Sequence, residues 1–227
     1  MFFDQSLDDS KLTRASRVSN QLRAEIISGK LAPGSKVNLD HLRDIYNVSL
    51  SPMREAISRL VAERLVEFED KKGFRIMPIG MANLLEITRM RADLESLALK
   101  HAIAIGTLDW ESRVPAAIYR LTNSENELFS DHHAAFHTAL IRGCAMPMLG
   151  DLCKLFANLH HRYSNILGYT AEGRDLNSEH AAIADAAIAR DAELGPMLLS
   201  RHIERTGNDL ADLLETRNNS ANGGKNV

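Results

Sequence analysis

The interval between apolar residues changes character along the chain and divides it into two parts. Between residues 14 and 28, Val18, Leu22, Ile26 and Ile27 recur at the spacing of one helical face. Gly29 stops this helix, and Leu31-Ala32-Pro33-Gly34 reads as a turn. Asn38 is a good N-cap for a helix of about two turns over 39–46. Another helix is expected over 51–64, with Pro52 in its first turn, where a missing N–H costs nothing. Leu60, Val61 and Leu65 point toward a small core. The period then shortens. The stretch from Leu65 to Ile76 is β-prone and bends at Lys71-Lys72-Gly73, which predicts a hairpin.

Beyond Pro78-Ile79-Gly80 the strand signals vanish. Helices are predicted over 82–105, 108–125, 127–143, 147–167, 176–189 and 192–215. Gly106, Gly143, Pro147, Gly168-Tyr169 and Arg190-Asp191 punctuate them, and Pro115 marks either the true start of the second or a kink in it. Residues 1–9 are polar and acidic and 217–227 are rich in Asn, Gly and Ser, so both ends are predicted to lack structure. The expected fold is mainly α: a compact N-terminal domain over 10–78 and an antiparallel all-α bundle over 82–216.

Composition narrows the class. Of the 227 residues, 44% are hydrophobic and 25% charged, ordinary for a globular protein, while only 5% are aromatic, which favours helix. No apolar run approaches the ~20 residues of a membrane span, and the start lacks the basic region of a secretory signal. Two cysteines, Cys144 and Cys153, are too few for a disulfide framework, so a reducing cytoplasm is the simplest home.

A net charge of −3 argues against a nucleic-acid partner, but its distribution does not. Residues 10–78 hold 13 Lys+Arg against 8 Asp+Glu, whereas 79–227 hold 14 against 19. A basic module joined to an acidic one fits DNA binding by the first part only.

Helix, tight turn, helix and basic-tipped hairpin, in that order, make a winged helix-turn-helix. Its second helix enters the major groove of duplex DNA N-terminus first. Arg54 would then read a guanine edge, at about 1–3 kcal/mol of discrimination. Ser49 and Ser51 would bond phosphate or base at the helix start. Lys71, Lys72 and Gly73 would bring the wing tip to the backbone. A dimer would place two such helices in successive grooves of a near-palindromic operator. The bland alternative makes Arg54-Glu55 a surface pair and 71–72 a solvated turn.

Histidine is segregated too, with eight of nine beyond residue 100. His133 and His137 are i,i+4 neighbours and share a helix face. His180 and His202 lie on the last two predicted helices, at similar heights if those helices pack antiparallel. Four imidazoles converging in a bundle would bind a divalent ion such as Zn²⁺ or Ni²⁺. Against this, i,i+4 histidine pairs arise by chance, and His132, His160 and His161 show that the chain uses histidine freely.

Residues 14–78 resemble the DNA-binding domain of the GntR superfamily. The matching stretches are Ile26 to Gly34, Val48-Ser49-Leu50-Ser51-Pro52-Met53-Arg54-Glu55-Ala56, Leu60 to Val66 and Lys72-Gly73-Phe74-Arg75. The family usually has Arg where Leu50 stands. Residues 82–215 resemble the FCD ligand-binding domain, through Arg91-Ala92-Asp93-Leu94-Glu95, Phe136-His137, Glu179-His180 and His202. The last three stretches resemble its metal-binding histidines, and His133 stands where the family usually has Asp. Leu60 to Val66, Lys72 to Arg75 and Phe136 to Ile141 are similar to CsiR-type members.

The resemblance implies a transcriptional regulator, most often a repressor. Its bundle would hold a metal and a small carboxylate effector, with Arg91 as the pocket arginine and Arg162-Tyr163 as a further donor pair. Arg91 has a second reading, a salt bridge to Glu95 on its own helix. Two rivals remain: a hydrolytic metal centre with Glu179 as general base, and a bundle that only dimerises.

Overall fold

The computed structural model describes residues 12–124 and 129–223. The expectation for residues 1–9 lies outside the described residues, as does that for 224–227. The chain is mainly helical. Its elements are α1 (Arg14–Ile27), β1 (Lys36–Val37), α2 (Leu39–Ile45), α3 (Leu50–Ala62), β2 (Val66–Glu69), β3 (Gly73–Ile76), α4 (Met81–Ile105), α5 (Leu108–Thr122), α6 (Phe129–Ile141), α7 (Pro147–Leu167), α8 (Leu176–Ile188) and α9 (Leu194–Gly223). They form two compact units. One is Met1–Asn83 with His161–Tyr169, and the other is Leu84–His160 with Thr170–Val227.

In the first unit, the Thr13 and Asn38 side chains accept the backbone N–H groups of Ser16 and His41, capping α1 and α2. Gly29, at φ +80°, takes the left-handed conformation that ends α1. Val18, Leu22 and Ile26 of α1 meet Met53, Ile57 and Leu60 of α3 in the core, where Leu65 is also buried. Val61, expected there, is only half-buried. Arg23 grips Glu63 through Nε and Nη2, each at 2.6 Å, and so ties α1 to α3. The turn between α2 and α3 runs through Asn47 at φ +49°, a conformation Asn tolerates.

The wing is a three-stranded antiparallel sheet in the order β1-β3-β2, with Val66 opposite Ile76 and Glu69 opposite Gly73. β1 is absent from the sequence reading, because two residues carry no detectable period.

The last turns of α7 belong to this unit, unlike the contiguous 10–78 and 82–216 division. Arg162 donates to the Met77 carbonyl, and Asn165 donates to the Ile27 carbonyl at 3.0 Å. The Tyr163 hydroxyl accepts the Gly80 N–H at 3.0 Å and faces Asn83 Oδ1 at 3.0 Å.

The second unit packs α4, α5, α6, α8, α9 and most of α7 around Leu99, Ile103, Trp110, Val114, Phe136, Leu140, Leu199 and Ile203. The Thr107 cap fixes the start of α5 and leaves Pro115 inside the helix. Cys144 and Cys153 are buried and free. α9 continues to Gly223 instead of ending near 215 as composition suggested. Thr216 and Ser220 there bond back to the carbonyls of Asp212 and Thr216, committing to the helix the hydroxyls that otherwise favour coil.

Candidate DNA-binding surface and metal centre

At the start of α3, Ser49 is the N-cap residue yet makes no capping side-chain bond. Its exposed hydroxyl therefore sits beside the positive end of the helix, where an anion is favoured. Ser51 and Arg54 are exposed on the same opening turns. Glu55 pairs with Arg59 at 2.5 Å, four residues on, so it is Arg59 that neutralises it. The Arg54 guanidinium makes no ion pair among the described residues. In the wing, Lys71 and Gly73 take φ of +64° and +88°. Lys72 lies 3.0 Å from Glu69, and Arg75 is committed to Glu67 and Glu69, so the tip is less basic than its composition. Leu50 opens α3 half-buried and offers the backbone no charge.

In the second unit, His133 and His137 from α6, His180 from α8 and His202 from α9 come together. One ring nitrogen from each lies within 4.8 Å of all the others. Opposite ligands at ~2.1 Å from one ion stand ~4 Å apart, so this is close to the span of a coordination sphere. Ring centroids of adjacent pairs are 4.6 Å apart for His133–His137 and for His180–His202.

Two carboxylates hold two of these rings from behind. Glu95 Oε2 lies 2.8 Å from His137 Nδ1, and Glu179 Oε2 lies 2.9 Å from His202 Nδ1. Each ionised carboxylate takes the Nδ1–H, which leaves the Nε2 lone pair for a ligand. His137 Nε2 and both nitrogens of His180 are buried without a partner among the described residues. Buried polar atoms left unpaired cost about 1–3 kcal/mol each, and an ion at their focus would remove that penalty for one nitrogen of each ring. The cluster thus fits a divalent metal by both its donor set and its unused lone pairs.

Arg91 on α4 completes the centre. It is buried and donates from Nε to Glu95 Oε1 at 2.7 Å. Its Nη1 lies 3.3 Å from His160 Nδ1, and its Nη2 lies 3.3 Å from His137 Nδ1. With the His137 Nδ1–H given to Glu95, the second approach brings two donors together and is not a hydrogen bond.

Electrostatics favours the neutral imidazoles a metal needs. Burial pushes His133 well below its usual value, and brings His180 down to about 3. His137 and His202 are also lowered, because burial and the neighbouring cations outweigh their carboxylate partners. Burial alone would raise Glu95, but Arg91 and His137 hold it down at about 2. Since His137 is neutral at ordinary pH, Arg91 supplies most of that effect.

The structure therefore brings the four predicted histidines and Arg91 together. It does not add Arg162 and Tyr163 to them. Their hydrogen bonds go to Met77, Gly80 and Asn83 of the first unit. Sequence reasoning missed Glu95 and His160 as parts of the centre, and it gave Glu179 a task only in the hydrolytic rival. The one available signal was Glu95, four residues after Arg91 on one helix face.

Comparison with known proteins decides the family. The description "Bacterial regulatory proteins, gntR family" matches residues 14–76, and the FCD domain matches residues 86–205. The chain belongs to the GntR family. It is 33% identical over 195 residues to the HTH-type transcriptional regulator BphR of Paraburkholderia xenovorans LB400, covering 81% of this chain and 80% of that one. It is also 33% identical to the HTH-type transcriptional repressor GlaR of Escherichia coli K12, over 80% of this chain and 89% of the relative. Escherichia coli McbR/YncC has the same fold, with a TM-score of 0.73, 22% identity, and 91% and 99% of the two chains covered.

This GntR regulator is a DNA-binding protein and not an enzyme, which removes the hydrolytic rival. Glu179 is bound to the back of His202. Among the described residues, no helix is long and apolar enough to cross a membrane.

Proposed function

We propose that this GntR regulator is a cytoplasmic, homodimeric repressor. A small carboxylate metabolite, held beside a late transition-metal ion in the helical unit, sets its operator affinity. The observation that carries the reading is the convergence of four neutral imidazoles on one point, three of them buried and His133 half-buried, beside a buried arginine. Four imidazole donors favour Zn²⁺ or Ni²⁺ over Mn²⁺ or Mg²⁺, which prefer oxygen. His133, His137, His180 and His202 would hold the ion, which supplies a positive centre for a carboxylate.

Arg91 supports the effector role. Its Nη2 makes no true hydrogen bond in the tautomer described, so N–H groups remain for an anion beside the metal. Ser49, Ser51, Arg54, Lys71, Lys72 and Gly73 form the proposed DNA contacts. Repression is supported by a relative named as a repressor. An effector coupling on the order of 1–3 kcal/mol would weaken operator binding by tens-fold.

The test combines metal analysis of the pure protein with operator binding in a panel of dicarboxylates and sugar acids. One ion per chain and release of the operator by at least one acid are expected. His137→Ala should lower metal content and abolish the acid response, yet leave operator binding near normal. Unchanged metal stoichiometry in that variant would refute the ligand set.

A further inference from the structure

The metal-facing histidines are not held alike. His137 is braced by Glu95, which is itself fixed by Arg91 on the same helix. His202 is braced by Glu179 on α8, and Glu179 is fixed from the loop that precedes that helix. Arg174, in this loop, donates from Nη2 to Glu179 Oε2 at 2.5 Å and from Nε to Oε1 at 3.2 Å, a two-point grip. Its Nη1 reaches Asp209 Oδ2 at 2.9 Å and Thr206 Oγ1 at 3.0 Å, both on α9. Thr206 in turn donates to the carbonyl of His202 at 3.0 Å. The Arg174 side chain is only 3% exposed. Arg205 adds a fourth donor, to Glu179 Oε1 at 3.0 Å.

We propose that Glu179 and Arg174 are positioning residues for the metal. Glu179 fixes the tautomer and the aim of His202, and Arg174 fixes Glu179, so that the loop before α8 belongs to the metal site.

An imidazole ligates through one nitrogen only if the other carries the proton, and a carboxylate on Nδ1 secures that choice. A carboxylate free to rotate would secure it poorly. Oε1 and Oε2 of Glu179 are both engaged, so the group has one orientation. Arg174 also spans the loop, α8 and α9 at the level of His202, which makes it the residue that sets the distance between Glu179 and the ring. The adjacent His180 gains nothing from Glu179, because successive helical side chains point about 100° apart.

This inference rests on the proposed metal site, and its test separates the two. Zn²⁺ affinity is measured on the full chain by competition with a chromogenic chelator, and the visible spectrum of the Co²⁺-loaded protein is recorded. Removing an outer partner of a ligating histidine typically costs 10–100-fold in metal affinity. Glu179→Ala should fall in that range. Arg174→Met should weaken binding by roughly tenfold and alter the Co²⁺ spectrum, with Arg174→Lys partly restoring both. Arg190→Met is the control. It breaks a more exposed bridge, to Glu111 at 3.0 Å, that touches no histidine of the cluster, and should leave Zn²⁺ affinity unchanged. If Arg174→Met fails to fold, Glu179→Gln carries the test, since it preserves shape while losing charge. Equal affinities and spectra in parent, Glu179 and Arg174 variants would overturn the positioning role while leaving the metal site intact. A parent protein that takes up neither ion would overturn both.

Discussion

Replacing Glu95 by Gln isolates the buried charge on which the centre is built. The Glu95 side chain is 2% exposed, and it lies 2.7 Å from Arg91 Nε and 2.8 Å from His137 Nδ1. Its carboxyl is held at about 2, against 4.5 in an unfolded chain. That difference amounts to ~3 kcal/mol of folded-state stability at neutral pH. Because His137 is neutral there, we assign roughly 2–3 kcal/mol to Glu95 through Arg91. Stranding a buried charge by removing its partner typically costs about 3–5 kcal/mol, and the value here meets the lower end of that range.

Glu95→Gln should therefore lower the unfolding free energy by ~2–3 kcal/mol in denaturant titrations followed by far-UV circular dichroism. A native pKa below the unfolded one gives stability that is complete above 4.5 and fades as pH falls toward about 2. The gap between parent and variant should close over that window. Adding Arg91→Met to the Glu95→Gln variant should recover part of the loss, because no buried cation is then stranded. A Glu95→Gln protein within ~0.5 kcal/mol of the parent at neutral pH would refute the reasoning.

Arg54→Ala should relax operator specificity by about 1–3 kcal/mol while leaving the helical unit folded, read as the ratio of specific to nonspecific competition in gel shifts. In metal-free protein, the four histidines are neutral when folded, with native values below 6.5. Above that value they contribute nothing. Below it the unfolded chain takes up protons the native state refuses, so stability should drop as pH falls, by up to ~1.4 kcal/mol per unit and histidine. A flat denaturation midpoint from neutral pH to about 5, with a chelator present, would refute this. His133→Asp should shift metal preference toward Mn²⁺, measured as the Mn²⁺/Zn²⁺ affinity ratio, and an unchanged ratio would deny His133 a place among the ligands.

The elements were largely legible because burial imposes a period. Val18, Leu22 and Ile26 repeat at one helical interval, and each is a core residue of α1. Thr13 and Asn38 cap where their chemistry suits, and Gly29 turns where its freedom is needed. Failures came where no period operates. β1 is two residues joined to β3 by pairing alone. The end of α9 depends on hydroxyls bonding back to their own helix, a choice that composition does not dictate.

The centre was legible in its imidazoles and illegible in its charges, and the reason is physical. His133 and His137 announce a shared face by spacing, and α8 and α9 bring in His180 and His202. Arg91 and Glu95 have the same i,i+4 spacing as Arg89 and Asp93, or Arg113 and Asp109, which are exposed surface pairs. Those surface pairs are screened by solvent and contribute little. The Arg91–Glu95 pair is buried and holds a ring on another helix. What separates them is a third element laid over the pair, and helical spacing carries no record of it. Glu179 shows the same limit from the other side. Its position beside His180 correctly removes it from that ring's direction. Only the packing of α9 against α8 reveals that it reaches His202 instead. Ligands that share a helix declare themselves by period. The residues that aim them act across helices, and only tertiary structure brings them into view.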